Sequence, residues 1–369
     1  MRTTKAAATD VANGENDHPI YYDALFRDVK NHVIDPPTFP AGVRFADTHT
    51  HLDMLHHPEL VLARCAVHQV DYVVTVIDPT EEPEYTTGNL DGWLQEAARL
   101  AADFLGAAKP VTAPVVNILV GCHPHNASKY DAKLERVLLE TLEDRRARAI
   151  GEIGLDYHYD YSPHDVQKQV YRRQLELAHE HNLPVSLHLR EAHDDGLRIL
   201  KEVGPPPAGT LLHCFNLDYA TLEPFLELGC YVAFGGPLTF KKSDEVRDAA
   251  RQTPLDRIVT ETDAPFMAPH PVRGVTCGPE HVIYTAACLG EALGIPAAGN
   301  SFPTSDNPSV TNTFFASGDA GAKTIEGENA SAEGGPGLDA GAEVDTRAAA
   351  FYNSIFQNAL DFFEDKRAG

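Results

Sequence analysis

Basic residues are scarce in this sequence: 30 lysines and arginines stand against 54 aspartates and glutamates, a formal net charge of −24. A protein that wraps long duplex DNA needs a basic footprint to release counterions, so the charge balance argues against that function class. It does not exclude a phosphate-bearing substrate, because bound divalent cations reverse the local sign of a site. Cysteine is sparse as well. Cys65, Cys122, Cys214, Cys230, Cys277 and Cys288 are scattered, with no Cys-x-x-Cys pair. In a chain of this size the pattern argues against a disulfide framework and points to a reducing, cytoplasmic setting. No apolar run approaches the ~20 residues of a membrane-spanning helix, so no membrane partner is expected. Met1 to Asn16 is polar and Ala/Thr-rich, without the apolar stretch of a secretory signal. No G-x-G-x-x-G or Walker motif is present to suggest a bound nucleotide cofactor.

What is present is enough apolar material, 43% of 369 residues, for a barrel of about 250 residues with extensions. Eight short apolar runs read as strands: Val43–Ala46, Tyr72–Ile77, Val115–Val120, Ala149–Ile153, Val185–His188, Gly209–His213, Tyr231–Phe234 and Arg257–Thr260. Amphipathic stretches such as Leu90–Leu105, Lys133–Arg145, Gln167–His181 and Ser243–Gln252 alternate with them. Continuous apolar strands alternating with helices indicate a parallel sheet covered by helices. Eight units suggest an α/β fold, a distorted (β/α)8 TIM barrel; an open doubly wound sheet is the alternative. The barrel domain is expected over 42–296 and 346–369. Residues 1–41 form an extension whose latter half is expected to pack as a helix. Residues 297–345 are acidic and rich in Gly, Ala, Ser and Asn, with few large apolar residues. They read as a disordered insertion. Helical periodicity returns over Arg347–Phe363, with Phe351, Ile355, Ala359 and Phe362 on one face.

Histidines and acids collect at the C-terminal ends of these runs, the face where barrels of this type assemble active sites. His49 and His51 are two apart at the first strand end, so strand alternation aims both imidazoles the same way. Glu152 ends the fourth run, where a central carboxylate is suited to bridging two cations. His188 and Arg190 share a face of the fifth, a ligand with a guanidinium fork beyond it for a phosphoryl or carboxylate group. His213 ends the sixth. Glu261 and Asp263 follow the eighth. Asp263, nearer the mouth, is placed to coordinate a metal and accept a proton from its water, and Glu261, a layer deeper, to orient a ligand histidine or anchor the structure. Asp156 is expected to support the site or fix a loop. His123 and His125 follow the third run around Pro124, and substrate contact, a third metal and a loop role all stay open for them. Lys241 and Arg273 are candidate phosphate contacts. Cys122 and Cys214 are expected to be buried, inert thiols.

The ordered motifs Asp47-Thr48-His49-Thr50-His51-Leu52-Asp53, Gly121-Cys122-His123-Pro124, Gly151-Glu152-Ile153-Gly154-Leu155-Asp156-Tyr157, Leu183 to Arg190, His213-Cys214-Phe215 and Glu261-Thr262-Asp263-Ala264-Pro265 resemble the TatD family of metal-dependent deoxyribonucleases, a branch of the amidohydrolase-like barrels. The resemblance runs from about Arg44 to Gly294 and resumes near Asn353–Phe356. It implies two or three divalent metals on His49, His51, Glu152, His188, His213 and Asp263, with Glu152 shared. It implies Mg or Mn for activity, with Zn often seen in such sites. It implies hydrolysis of nucleic-acid phosphodiesters by a metal-activated water, with Glu152 and Asp263 catalytic. The substrate would be single-stranded DNA or 3′ ends, degraded 3′ to 5′, and a monomer is favoured. The pair after His-Cys-Phe is Asn216-Leu217 rather than the family's Ser-Gly, which bears on substrate preference. The alternatives are an amidohydrolase-type or aminoacyl-tRNA ester hydrolase, and a metal-stabilised binding protein docking through the insertion.

Overall fold

The computed structural model describes residues 20–108, 111–295, 297, 340–364 and 366. Two short strands, β1 (Phe26–Arg27) and β2 (Val33–Ile34), pair antiparallel near the N-terminus. The helix expected there is not formed. Asp28 Oδ1 accepts the amide N–H groups of Lys30 and His32, and Asn31 adopts φ +63°, which closes a turn instead. Phe26 is buried against the rings of His68, His281 and Tyr284, which straps this hairpin to the barrel wall.

Eight parallel strands follow: β3 (Phe45–Thr50), β4 (Val70–Ile77), β5 (Val115–Val120), β6 (Ala147–Asp156), β7 (Val185–Arg190), β8 (Thr210–Leu212), β9 (Tyr231–Phe234) and β10 (Ile258–Thr260). They lie side by side in chain order, the order of a barrel rather than of a doubly wound sheet. A Thr50–Ala264 bridge, with Asp263 N–H donating to His49 O at 2.9 Å and His51 N–H to Ala264 O at 2.7 Å, joins the first strand to the segment after the last. Around the sheet lie α1 (Pro58–Val67), α2 (Pro83–Phe104), α3 (Ala132–Leu142), α4 (His164–His181), α5 (His193–Val203), α6 (Tyr219–Leu226), α7 (Asp244–Gln252) and α8 (Val282–Ala292).

The barrel interior is filled by Ala46, Tyr72, Val74, Val76, Leu119, Ala149, Leu211, Ala233 and Val259, and the last helix packs onto this set. That helix, α9 (Ala340–Phe362), begins earlier than its periodicity indicates, inside the segment read as insertion. The rest of that segment, residues 298–339, lies outside the described residues. The expected face is buried: Phe351, Ile355, Ala359 and Phe362, with Tyr352, Phe356 and Phe363 beside it. Each fully buried Phe contributes about 1.5–3 kcal/mol. Asn353 bonds Gly42 and Arg44, and Asn358 bonds the carbonyls of Leu255 and Ile258, all at the starts of strands. Gly209, with φ +128°, leaves room for the Phe362 ring, which a Cβ would meet at 3.0 Å. So α9 closes the N-terminal end of the barrel and leaves the C-terminal end as the accessible mouth.

Candidate metal centre

Two irregularities in the sheet place the central residues. Between β3 and β4 the pairing advances from Asp47↔Val73 to Thr50↔Thr75, so one extra residue is accommodated beside His49. Between β6 and β7 it advances from Ile150↔Val185 to Ile153↔Leu187, with the extra residue beside Glu152. Such bulges re-aim side chains and recur next to active sites. They also correct the reasoning from strict alternation: His51 lies beyond the end of β3, and it is the bulge and the turn that bring both rings inward. Gly154 lets β6 pass close to β7, since a Cβ there would strike His188 O at 2.0 Å.

The two oxygens of Glu152 divide the histidines. Oε2 faces His49 Nε2 at 3.3 Å and His51 Nε2 at 3.8 Å. Oε1 faces His188 Nδ1 at 2.5 Å, His213 Nε2 at 2.8 Å and His123 Nε2 at 3.6 Å. Asp263 joins the first group, with Oδ1 at 3.5 Å from His51 Nε2 and 3.9 Å from His49 Nε2. Among the described residues, three sets of donor atoms are close enough to share an ion: His49, His51 and Glu152; His123, Glu152 and His188; His49, His213 and Glu261.

The electrostatics follow from burial and crowding. Burial alone would raise the Glu152 carboxyl, but His213, His123, His49 and His188 hold it well below the usual range. His49 is driven down to about 4 by burial and by His213, against the pull of Glu152. Burial also presses on His51, yet Asp263, Glu152 and Asp53 outweigh it and raise the ring to about 9. Burial opposes protonation of His213 too, and Glu152 and Glu261 lift it well above its ordinary value. The orphaned atoms test the fit to a metal. Both ring nitrogens of His49 are buried without a hydrogen bond among the described residues. Buried ring nitrogens left without a partner beside a carboxylate are donor atoms available to a cation, and imidazole with carboxylate suits Zn, Mn or Mg to different degrees. The donor set fits divalent cations.

The supporting shell contains residues the sequence leaves vague. Asp47 Oδ1 accepts the amide N–H groups of His49 and Thr262, and its Oδ2 accepts the Thr262 hydroxyl at 2.6 Å. Glu261 Oε1 accepts Cys214 N–H at 2.6 Å and lies 3.4 Å from His213 Nδ1. Asp156 Oδ2 is 2.8 Å from His125 Nε2 and 3.2 Å from His188 Nε2, while Oδ1 accepts the amides of His158 and Tyr159. His123 is drawn into the cluster itself rather than left at its edge. Pro124 begins a short 3-10 turn, and His123 Nδ1 accepts His125 N–H at 3.2 Å, which turns Nε2 toward Glu152.

Arg190 is half-buried, its guanidinium 4.9 Å from the Tyr159 ring centre, and the neighbouring Glu191 pairs with His158. Lys241 and Arg273 are exposed; Arg273 stacks on Phe240 at 3.6 Å, and both lie near enough to His270 to depress it behind burial. Neither is joined to the cluster by a hydrogen bond or ion pair among the described residues. Cys122 is buried as expected, but Cys214 is partly exposed, with φ +49° at the strand end.

Comparison with known proteins agrees with this geometry. The TatD related DNase family profile matches residues 46–310. An uncharacterized metal-dependent hydrolase of Bacillus subtilis, YabD, is 35% identical over 248 residues, 66% of this chain and 89% of that protein. The 3′-5′ ssDNA/RNA exonuclease TatD of a Pantoea species is 36% identical over 175 residues, 45% of this chain and 67% of that protein. The crystal structure of YJJV, a TatD homologue from Escherichia coli, superimposes with a TM-score of 0.61 at 24% identity, covering 87% of this chain and 98% of that one. The chain is thus a barrel of the metal-dependent hydrolase type. It belongs to the TatD related DNase family. Among the described residues, no helix is long and apolar enough to cross a membrane.

Proposed function

We propose that this chain hydrolyses phosphodiester bonds of single-stranded DNA or RNA, working from the 3′ end. The observation that carries the reading is the division of imidazoles between the two oxygens of one buried carboxylate, Glu152. On one side, His49, His51 and Asp263 with Oε2 would hold one divalent cation. On the other, His188 and His213 with Oε1 would hold a second, and His123 is within reach of it. Such cations lower the pKa of water and neutralise charge on phosphoryl oxygens. Asp263, held ionised by its histidine neighbours after burial is overcome, accepts the proton of the attacking water. Glu261 fixes the ring of His213, and Asp156 fixes those of His188 and His125. Arg190 holds a non-bridging oxygen of the substrate. Relatives named as single-strand nucleases support the substrate class. The acidic surface is no obstacle, since only the metal-bearing mouth has to meet phosphate. Six free cysteines support a reducing compartment.

The test is to strip the protein of metal and resupply Mg²⁺, Mn²⁺ or Zn²⁺ singly. Labelled single-stranded DNA, RNA and an aminoacyl-tRNA are offered as substrates. Mononucleotide release from the 3′ end is expected. Cleavage of the aminoacyl ester alone, with every nucleic acid left whole, would reject the reading.

A further inference from the structure

The loop after β6 carries three tyrosines, and two of them serve no part of the core. Asp156-Tyr157-His158-Tyr159-Asp160-Tyr161-Ser162 is clamped from below. Gln167 of α4 accepts the Asp156 amide at 2.8 Å and donates to the carbonyls of Asp156 and Ser162. Ser162 Oγ donates to His125 O and accepts the Ser128 amide. Asp156 takes the amides of His158 and Tyr159. Tyr157 turns aside, stacked on His164 at 3.9 Å with its hydroxyl on Asp195. Tyr159 and Tyr161 stack on each other instead, 5.4 Å between centres and 15° between planes, and Tyr161 is 54% exposed.

This pair borders the metal centre. His125 stands edge-on to both rings, at 5.5 Å from Tyr159 and 4.9 Å from Tyr161, and its own ring is 6.3 Å from that of His188. Arg190, two residues beyond His188, lies over the Tyr159 ring. A lone exposed tyrosine is ordinary. Two rings stacked by a loop tied at its buried side, with a guanidinium on Tyr159 and Tyr161 exposed, make a preorganised aromatic stack beside the proposed place of phosphate chemistry. Flat aromatic faces next to a cation bind nucleobases by stacking without reading their identity.

We infer that Tyr159, Tyr161 and Arg190 form a base-stacking ledge, which holds the base of a nucleotide adjoining the phosphodiester at Glu152. The ledge rests on the nuclease reading above and supplies its substrate grip. The tyrosines position the base whatever its identity, and Arg190 links base to phosphate.

The test is a cycle between protein and ligand, read by fluorescence anisotropy with the metal-loaded protein. The probes are a labelled oligothymidylate ending in cleavage-resistant phosphorothioate linkages and the same oligomer lacking its last bases. The unaltered protein is expected to bind the base-bearing probe between about 5-fold and about 150-fold tighter. That preference collapses in Tyr161→Leu and in Tyr159→Leu and survives in Tyr161→Phe. A preference that persists in both leucine variants overturns the ledge. So does equal binding of the two probes, which would show that sugar and phosphate alone are gripped. A parallel assay on a cleavable oligomer separates the two readings: cleavage without base preference sinks the ledge alone, and base preference without cleavage sinks the nuclease reading alone.

Discussion

The rings of His49 and His213 lie stacked in the barrel mouth, centres 3.8 Å apart and planes 18° apart. Two imidazolium rings cannot share that stack. Burial and the neighbouring His213 leave His49 neutral above about pH 4, with Nε2 turned toward Glu152. Replacing His49 by Ala is therefore expected to remove the metal on the Oε2 side while retaining that on the Oε1 side. Metal analysis of the purified variant decides it, and unchanged content would contradict the assignment.

Glu152→Gln keeps the shape of the side chain and removes its charge. On the bridging role proposed for Glu152, both cations would lose their common ligand, and turnover is expected to fall by about 10³-fold or more, since a bound cation supplies several kcal/mol to the transition state. Metal titration by calorimetry should show the loss directly. A variant that binds two cations as tightly as the parent would refute the bridging role.

Metal removal should lower thermal stability, because the cation binds the folded cluster and not the unfolded chain. At a free concentration a thousand times its dissociation constant, a single ion contributes about 4 kcal/mol. Melting curves of chelator-treated protein, with and without resupplied Mn²⁺, measure this, and coincident curves would argue against a resident metal.

Asp156→Asn removes the one carboxylate that serves His125, His188 and two loop amides together. An amide cannot accept all four bonds. Metal affinity or activity should drop by about 10- to 100-fold, the usual loss when a ligand's orienting partner is removed. An affinity equal to that of the parent would show that His188 is oriented by Glu152 alone.

Glu280 offers a pH test away from the site. It is buried with Oε1 3.5 Å from Arg64, and burial pushes its carboxyl up despite Arg64. A raised carboxyl stabilises the fold fully below its unfolded pKa, near 4.5, and that contribution disappears as pH rises through the folded value. Glu280→Gln should therefore melt higher than the parent at pH 8, with a smaller difference at pH 4. A gain confined to acid would reverse the sign and refute the argument.

The eight strands were legible because each is a short apolar run, and the site's histidines and acids because they follow those runs. The two bulges were not. Whether a strand gains a residue at His49 or Glu152 depends on its neighbour's register, which no local pattern carries. The hairpin at 26–34 was missed because two-residue strands have no periodicity to read. Helix α8 has its side chains buried on nearly every side, so it lacks the polar stripe that marks a surface helix. For His123, Pro124 left the direction of the ring undetermined until the turn after it was seen.

Thr262 Oγ1 meets Asp47 Oδ2 across 215 positions of chain, and the same seam carries His49, His51 and Asp263. A contact so distant in sequence carries a loop-closure entropy that opposes it until the intervening barrel has formed. A chain whose last strand has not yet docked lacks Asp263, one of the six proposed ligands and the proposed proton acceptor. On the role proposed for Asp263, activity would report completion of the barrel, and a substitution that merely slows closure of the seam would look, in an enzyme assay, like damage to the chemistry.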